Sequence, residues 1–225
     1  MTVSAETTAE RVIARVEIAS GTPSPTIVAE LNAVCDAADD ARSGFVVLDV
    51  RGRVQDARDP RYPDANLFTQ WERAVRRFER LPAITVSVSA GECGWFETGL
   101  VLATDYRVAS SSLRLSFRDG CGNVVPTMGT YRLAVQIGVA RSRRYVCLGA
   151  DMTAPEALDL GVVDAIGNDG EAALRTFIES AAAWNADDLA IRRRLLQEST
   201  YRSFEDALGT HLAARDRMVR KFSAS

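Results

Sequence analysis

A continuous run, Ala83-Ile-Thr-Val-Ser-Val-Ser89, leads through the glycine-containing turn Ala90-Gly-Glu-Cys-Gly-Trp95 into an apolar stretch from Phe96 to Thr104. A strand feeding a helix through such a turn lays backbone N–H groups at the helix start, where negative charge is favoured. Tyr106-Arg-Val-Ala109 then extends again. Leu113–Phe117 reads as a polar edge strand, Arg118-Asp119-Gly120 as a loop, and Pro126–Leu133 as the start of another helix. Asp119 is a lone carboxylate in this glycine-rich loop. Backbone donors for an oxyanion, with one acid or base nearby, suit chemistry on a carbonyl compound.

The flanking sequence continues the alternation of strands and helices. Val12, Ala14, Val16 and Ile18 alternate with polar residues, the pattern of a half-buried strand. Ser24 is placed to cap a helix with Pro25 at its first position, and Ile27, Val28, Leu31, Val34, Cys35 and Ala38 form its apolar stripe. Phe45-Val-Val-Leu48, ending in Asp49, reads as a buried parallel strand. The polar loop 51–66 follows it, with Gly52, Pro60 and Pro63; loops in this position tend to carry ligand sites. In the next helix Leu67, Trp71, Ala74, Val75 and Phe78 face inward, while Glu72, Arg73, Arg76, Arg77 and Glu79 form an outer face expected to be solvated.

Beyond Gly138 the pattern is mostly helical. Val139, Tyr145 and Leu148 are expected to face inward on a helix that also carries Arg141, Arg143 and Arg144. Thr153-Ala-Pro-Glu156 is a capping box, and Val162–Ile166 extends again. Three more helices are expected at about 171–184, 187–198 and 204–222, with Arg192-Arg-Arg194 on a solvated face.

The 225 residues suit one domain, or a domain with a helical appendage, and 47% hydrophobic residues supply its core. A net charge of -3 argues against a nucleic-acid binder. Lys221 is the only lysine, a bias that reads as genome composition rather than as an anion-binding surface. Met1–Glu6 has no basic region before an apolar core, and no run of about eighteen apolar residues is present, so a cytoplasmic protein is expected. The four cysteines show no C-x-x-C pair, which argues against a metal site. Cys35 and Cys147 fall at apolar helical positions expected in the core. Cys93 and Cys121 flank the central loops, as filler or as a nucleophile with no identifiable basic partner. His211 is the only histidine and no serine turn matches it, so a protease triad is excluded.

The order of these elements, followed by Leu148-Gly-Ala-Asp-Met-Thr-Ala-Pro-Glu-Ala-Leu-Asp-Leu-Gly-Val-Val-Asp164, resembles the crotonase (enoyl-CoA hydratase/isomerase) superfamily. Pro82, Ala103–Ala109 and Gly129–Leu133 fit the same pattern. The resemblance implies an α/β spiral of β-β-α turns over residues 1–166, a C-terminal helical region over 167–225, and a homotrimer or homohexamer. The short length and eroded motifs resemble more narrowly the small crotonase homologues of dihydroxyphenylglycine biosynthesis, the DpgB type. That implies an enoyl-CoA hydratase/dehydratase beside a type III polyketide synthase forming 3,5-dihydroxyphenylacetyl-CoA, in glycopeptide antibiotic assembly. The alternative is a non-catalytic partner that stimulates or stabilises the synthase.

The same resemblance distributes roles over the chain. One oxyanion donor falls on the backbone N–H of Phe96 and the second near Gly52 or Arg53, although no Ala-Gly-x-Asp motif is there. Of the family's two carboxylates, one falls on Gly99 and is lost, and the other falls on Asp119. Asp119 is then the acid/base, or else a turn-stabilising aspartate before Gly120. Glu97 is a second catalytic candidate, or else a first-turn acid favoured by the helix dipole; on a regular helix it lies roughly 200° from Gly99. Glu92 is a further acid in the turn. Trp95 is expected to shape the substrate pocket, and Arg51, Arg53 and Arg58 to meet the phosphates of coenzyme A or simply to be surface arginines. No cofactor is called for beyond the coenzyme A thioester of the substrate.

Overall fold

A computed structural model describes residues 11–19, 21–41, 43–52, 62–181, 184 and 186–223. Arg53 and Arg58 lie outside the described residues. Strand β1 (Val12–Ala19) is followed by helix α1 (Pro25–Ala41), β2 (Phe45–Gly52), α2 (Ala65–Phe78), β3 (Ile84–Cys93) and α3 (Trp95–Val101). Then come β4 (Tyr106–Ala109), β5 (Arg114–Leu115), α4 (Met128–Ile137), α5 (Val139–Val146), β6 (Met152–Thr153), α6 (Ala154–Asp159) and β7 (Ala165–Ile166). Three helices end the described chain: α7 (Gly170–Ser180), α8 (Ala186–Glu198) and α9 (Phe204–Ser223).

The main sheet runs β1-β2-β3-β4-β7 with every neighbouring pair parallel. β5 pairs parallel with the far end of β3, and β6 closes antiparallel on β5. Apolar residues cover both faces of the sheet. Val46, Leu48 and Val50 of β2 meet α1, α2 and α3 on one side. Phe45 and Val47 meet Leu174, Phe177 and Ile178 of α7 on the other. Burial on both faces is why β2 reads as an uninterrupted apolar run.

β3 alternates, yet it is buried throughout from Ile84 to Ser89. Two of its three hydroxyls find partners: Thr85 bonds the Asp105 carboxylate at 2.9 Å, and the Thr104 hydroxyl bonds Ser87 at 3.1 Å, while the buried Ser89 hydroxyl has none. Helix starts follow the local chemistry. The Ser24 hydroxyl accepts from Ile27 N–H at 3.3 Å, and Thr153 with Glu156 forms the expected capping box.

The structure corrects four expectations about exposure. The outer face of α2 is solvated only at its arginines: Arg132 of α4 is 8% exposed and inserts beside the two glutamates, bonding Glu79 at 2.6 Å and Glu72 at 2.9 Å. Arg193 also turns inward. It donates to the carbonyls of Glu79, Leu81 and Ala83 at 2.9–3.1 Å and pairs with Asp105 at 2.6 Å. These carbonyls belong to the segment joining α2 to β3, which pairs with no strand among the described residues, so one guanidinium satisfies them together. Val139 and Leu148 are 71% and 80% exposed, because the short α5 packs inward through Ser142 and Tyr145, with Val146 beside them. Cys147 is exposed for the same reason, whereas Cys35 is in the core as expected.

Candidate active site

β2 and β3 run side by side to their ends, where Gly52 stands opposite Gly91. A Cβ on Gly52 would lie 2.2 Å from the Glu92 carbonyl carbon, so only glycine permits this approach. β3 continues to Cys93, and Gly94 turns the chain into α3. The donors at this helix start are nearly all engaged. Trp95 N–H bonds the Arg118 carbonyl at 3.3 Å, and Thr98 N–H bonds Gly94 at 2.9 Å. The N–H groups of Glu97 and Gly94 face the Glu97 carboxylate. The Phe96 N–H has no acceptor among the described residues.

Asp119 organises the loop between β5 and α4. Its Oδ1 accepts from the N–H groups of Cys121 and Asn123, both at 2.8 Å. Its Oδ2 accepts from the Asn123 side-chain amide at 3.3 Å and from the Tyr62 hydroxyl. Partial burial pushes its pKa up, but these hydrogen bonds outweigh that and hold it below the usual aspartate value. The phenol of Tyr62 moves the opposite way, raised chiefly by its bond to Asp119. The loop therefore rests with an ionised carboxylate and a protonated tyrosine.

Two cavities flank this pair. A polar cleft of about 200 Å³ is lined by Asp119 with Glu92, Gly94, Arg114 and Arg118. An apolar cavity of about 260 Å³ is lined by Tyr62, Phe68, Trp95, Val124, Val125 and Pro126. Trp95 is 2% exposed and its indole Nε1 is buried without a hydrogen-bond partner. Its ring stands 6.4 Å from Phe68 and 6.1 Å from Phe96. A Cβ on Gly99 would meet nothing within 4 Å, so open space lies where the resemblance expects a carboxylate.

Glu97 lies apart from both cavity walls. It is 0% exposed, and its Oε1 accepts from the Gly21 N–H at 2.9 Å. Oε2 is buried without a hydrogen-bond partner. Burial raises its pKa to about 7, against the lowering effect of its own N–H and those of Gly21 and Gly94. The neighbouring Cys93 thiol is pushed up to about 12, first by burial and then by the charge of Glu97, with the Gly52 N–H opposing. So high a value makes Cys93 an inert thiol. The Gly52 N–H expected as an oxyanion donor lies near enough to the Cys93 thiol to oppose that rise. Arg51 pairs with Asp49 at 3.7 Å, and Asp49 joins Arg15, which also bonds Glu171 of α7. This places Arg51 on the α7 face of the sheet. The structure therefore brings Trp95, Phe96 and Asp119 together and sets Arg51 and Glu97 elsewhere.

A sequence profile of the enoyl-CoA hydratase/isomerase family matches residues 48–225. An enoyl-CoA hydratase of Amycolatopsis orientalis is 42% identical over 203 residues, covering 90% of this chain and 93% of its own length. This chain belongs to the enoyl-CoA hydratase/isomerase family. Solved structures share the fold at low identity. An enoyl-CoA hydratase from Bacillus anthracis superposes with a TM-score of 0.73 at 18% identity, covering 92% of this chain and 87% of that one. A Thermobifida fusca YX structure, solved in complex with CoA, gives 0.78 at 16% identity, covering 99% and 98%.

Within this enoyl-CoA hydratase/isomerase fold, the residue that motif reasoning passes over is Tyr62. Its signal is faint: an aromatic ring between Pro60 and Pro63, in a loop at the carboxyl end of a parallel strand. Only the contact with Asp119, 57 residues away, gives it meaning.

Proposed function

We propose that this chain is an enoyl-CoA hydratase/dehydratase that acts on an acyl-CoA thioester through its enolate. The observation that carries the reading is the unclaimed Phe96 N–H, one residue from Trp95 in the wall of an apolar cavity. A backbone donor pre-aimed at a developing oxyanion stabilises the transition state more than the substrate. Gly52 is the proposed site of the second donor. Acid–base work falls to the Asp119 side of the cavity, and the buried Glu97 positions the start of α3 by holding the Gly21 loop. No cofactor is required beyond the coenzyme A of the substrate, with Arg53 the proposed phosphate contact.

The finer reading is a DpgB-type dehydratase assisting formation of 3,5-dihydroxyphenylacetyl-CoA, in the cytoplasm, beside a type III polyketide synthase in glycopeptide antibiotic biosynthesis. Loss of water from a cyclised polyketide thioester gives an aromatic product, so one acid/base group and an enolate-stabilising donor suffice. The test is to titrate the protein into the synthase reaction and follow acyl-CoA products by mass. Dehydrated product that accumulates catalytically supports the lyase.

Gly99, glycine where the family is expected to carry an acid, favours a second reading, that of a non-catalytic partner. An effect that saturates at a fixed stoichiometry and survives Asp119→Asn would select it. The proposed assembly is a homotrimer or homohexamer. Met128, Tyr131 and Val135 of α4 are exposed on one side, with Val139 and Leu148 beyond, an apolar surface of the kind that subunits cover. Light scattering that returned a monomer would overturn the assembly.

A further inference from the structure

The four hydrogen bonds to Asp119 leave its carboxylate with no lone pair to offer a substrate. Two go from backbone N–H groups to Oδ1, and two go from Asn123 and Tyr62 to Oδ2. A carboxylate has about four acceptor positions. Tyr62 differs in this respect. It spends its proton on Asp119, takes one contact from the Asn123 amide, keeps a further acceptor position on its oxygen, and lines the apolar cavity with Trp95 and Val124. The phenol therefore spans the gap between the carboxylate and the space available to an acyl group.

We propose that Tyr62 is the catalytic residue that meets the substrate, and that Asp119 is a positioning residue acting through it, the two forming a single proton relay. The proposal rests on the hydratase/dehydratase reading above and assigns its chemistry. In dehydration of a 3-hydroxyacyl thioester, the Cα–H bond breaks and its proton passes to the Tyr62 oxygen. The proton of Tyr62 moves to Asp119 Oδ2 as this happens. The electron pair of the broken bond enters the thioester as an enolate, whose oxygen takes the Phe96 N–H. The relay then runs in reverse. Tyr62 gives a proton to the 3-hydroxyl oxygen, the C–O bond breaks, and water leaves. The enolate pair becomes the C2–C3 double bond, and Asp119 returns its proton to Tyr62. One proton is taken and one is given back, so the two groups end as they began.

This scheme accounts for a chain that lacks the second carboxylate. A two-acid site divides proton removal and proton delivery between separate groups. Here one pair performs both in succession, and the space at Gly99 needs no acid. The resting charge state agrees, since the Tyr62 phenol is held protonated and Asp119 ionised.

The test compares wild type, Tyr62→Phe, Asp119→Asn and the double variant. Dehydration of 3-hydroxybutyryl-CoA is measured, together with exchange of the Cα protons with solvent deuterium. Tyr62→Phe keeps the ring in the cavity wall, and its folding is checked by urea midpoint. It should lose about 10²–10⁴-fold in kcat with KM nearly unchanged, and lose exchange in parallel. Asp119→Asn should show the same split. The double variant should be no slower than either single one, because the two act as a unit. A Tyr62→Phe protein with wild-type kcat overturns the relay alone. A wild type that binds the thioester yet neither dehydrates it nor exchanges its protons overturns the parent reading and the relay together.

Discussion

Replacing Glu97 by glutamine isolates the effect of one sealed carboxyl group. In the folded protein its pKa is about 7, against 4.5 for an ordinary glutamate, and burial is the dominant cause. A folded-state pKa raised above the unfolded one means that the folded protein holds the proton more tightly. The stability linked to Glu97 is therefore fully present below pH 4.5 and is lost as pH rises through about 7. The full difference is on the order of 3 kcal/mol at about 1.36 kcal/mol per pKa unit. Glutamine keeps the acceptor for Gly21 N–H but carries no charge at any pH. The stability gap between variant and wild type should therefore grow in the variant's favour by roughly 3 kcal/mol between pH 5 and pH 8.5. For a chain of this size that corresponds to a change in relative melting temperature of about 6–12 °C. Asp164, also raised by burial, is common to both proteins and cancels in the difference. Urea unfolding of the two proteins across that range measures the gap. A gap that stays constant with pH refutes the claim that the buried carboxyl holds its proton.

The pH dependence of turnover separates the two carboxyl groups in another way. With Asp119 as the ionised partner, kcat/KM should show no acid limb between pH 5 and 8, whereas a limb near 7 would point to Glu97 instead. Gly99→Ala should stabilise the protein by about 0.5–1 kcal/mol, since its Cβ enters open space in a helix; a loss of stability would mean that the space is filled. Gly52→Ala should cost about 1–3 kcal/mol or prevent folding, because its Cβ collides with backbone, which does not yield as a side-chain tip does. Arg193→Met should cost about 3–5 kcal/mol by stranding Asp105 and three carbonyls, and a midpoint near wild type would show that water replaces the guanidinium.

Helix starts and strand cores were legible because their causes are local. Ser24, Thr153 and the stripe through Val28, Leu31, Cys35 and Ala38 carry their own instructions. Periodicity reports which face of an element is apolar, but not what lands on its polar face. Glu72 and Glu79 look solvated on their helix, yet both are bonded by the buried Arg132, 60 and 53 residues away. Leu148 fails in the opposite direction: it is apolar, but it falls just past the end of the short α5 and stays exposed. In the site, Trp95, Phe96 and Asp119 stood out because each belongs to a turn or loop with a recognisable pattern. Tyr62 did not, since a phenol gains a role only from the group it reaches. The dispersal of Arg51 and Glu97 was equally hidden, because it depends on which face of the sheet each side chain takes.

The clasp of Arg193 also sets a schedule for synthesis. The carbonyls it satisfies open the central strand, yet the residue itself is made 88 positions after Asp105. At translation rates of roughly 5–20 residues per second, several seconds separate the two on the ribosome. During that interval β2 and β3 can pair while the segment leading into β3 must bond water. The nascent core thus waits for its own C-terminal helices, and a chain halted before α8 would expose an unlocked central strand to chaperones and proteases.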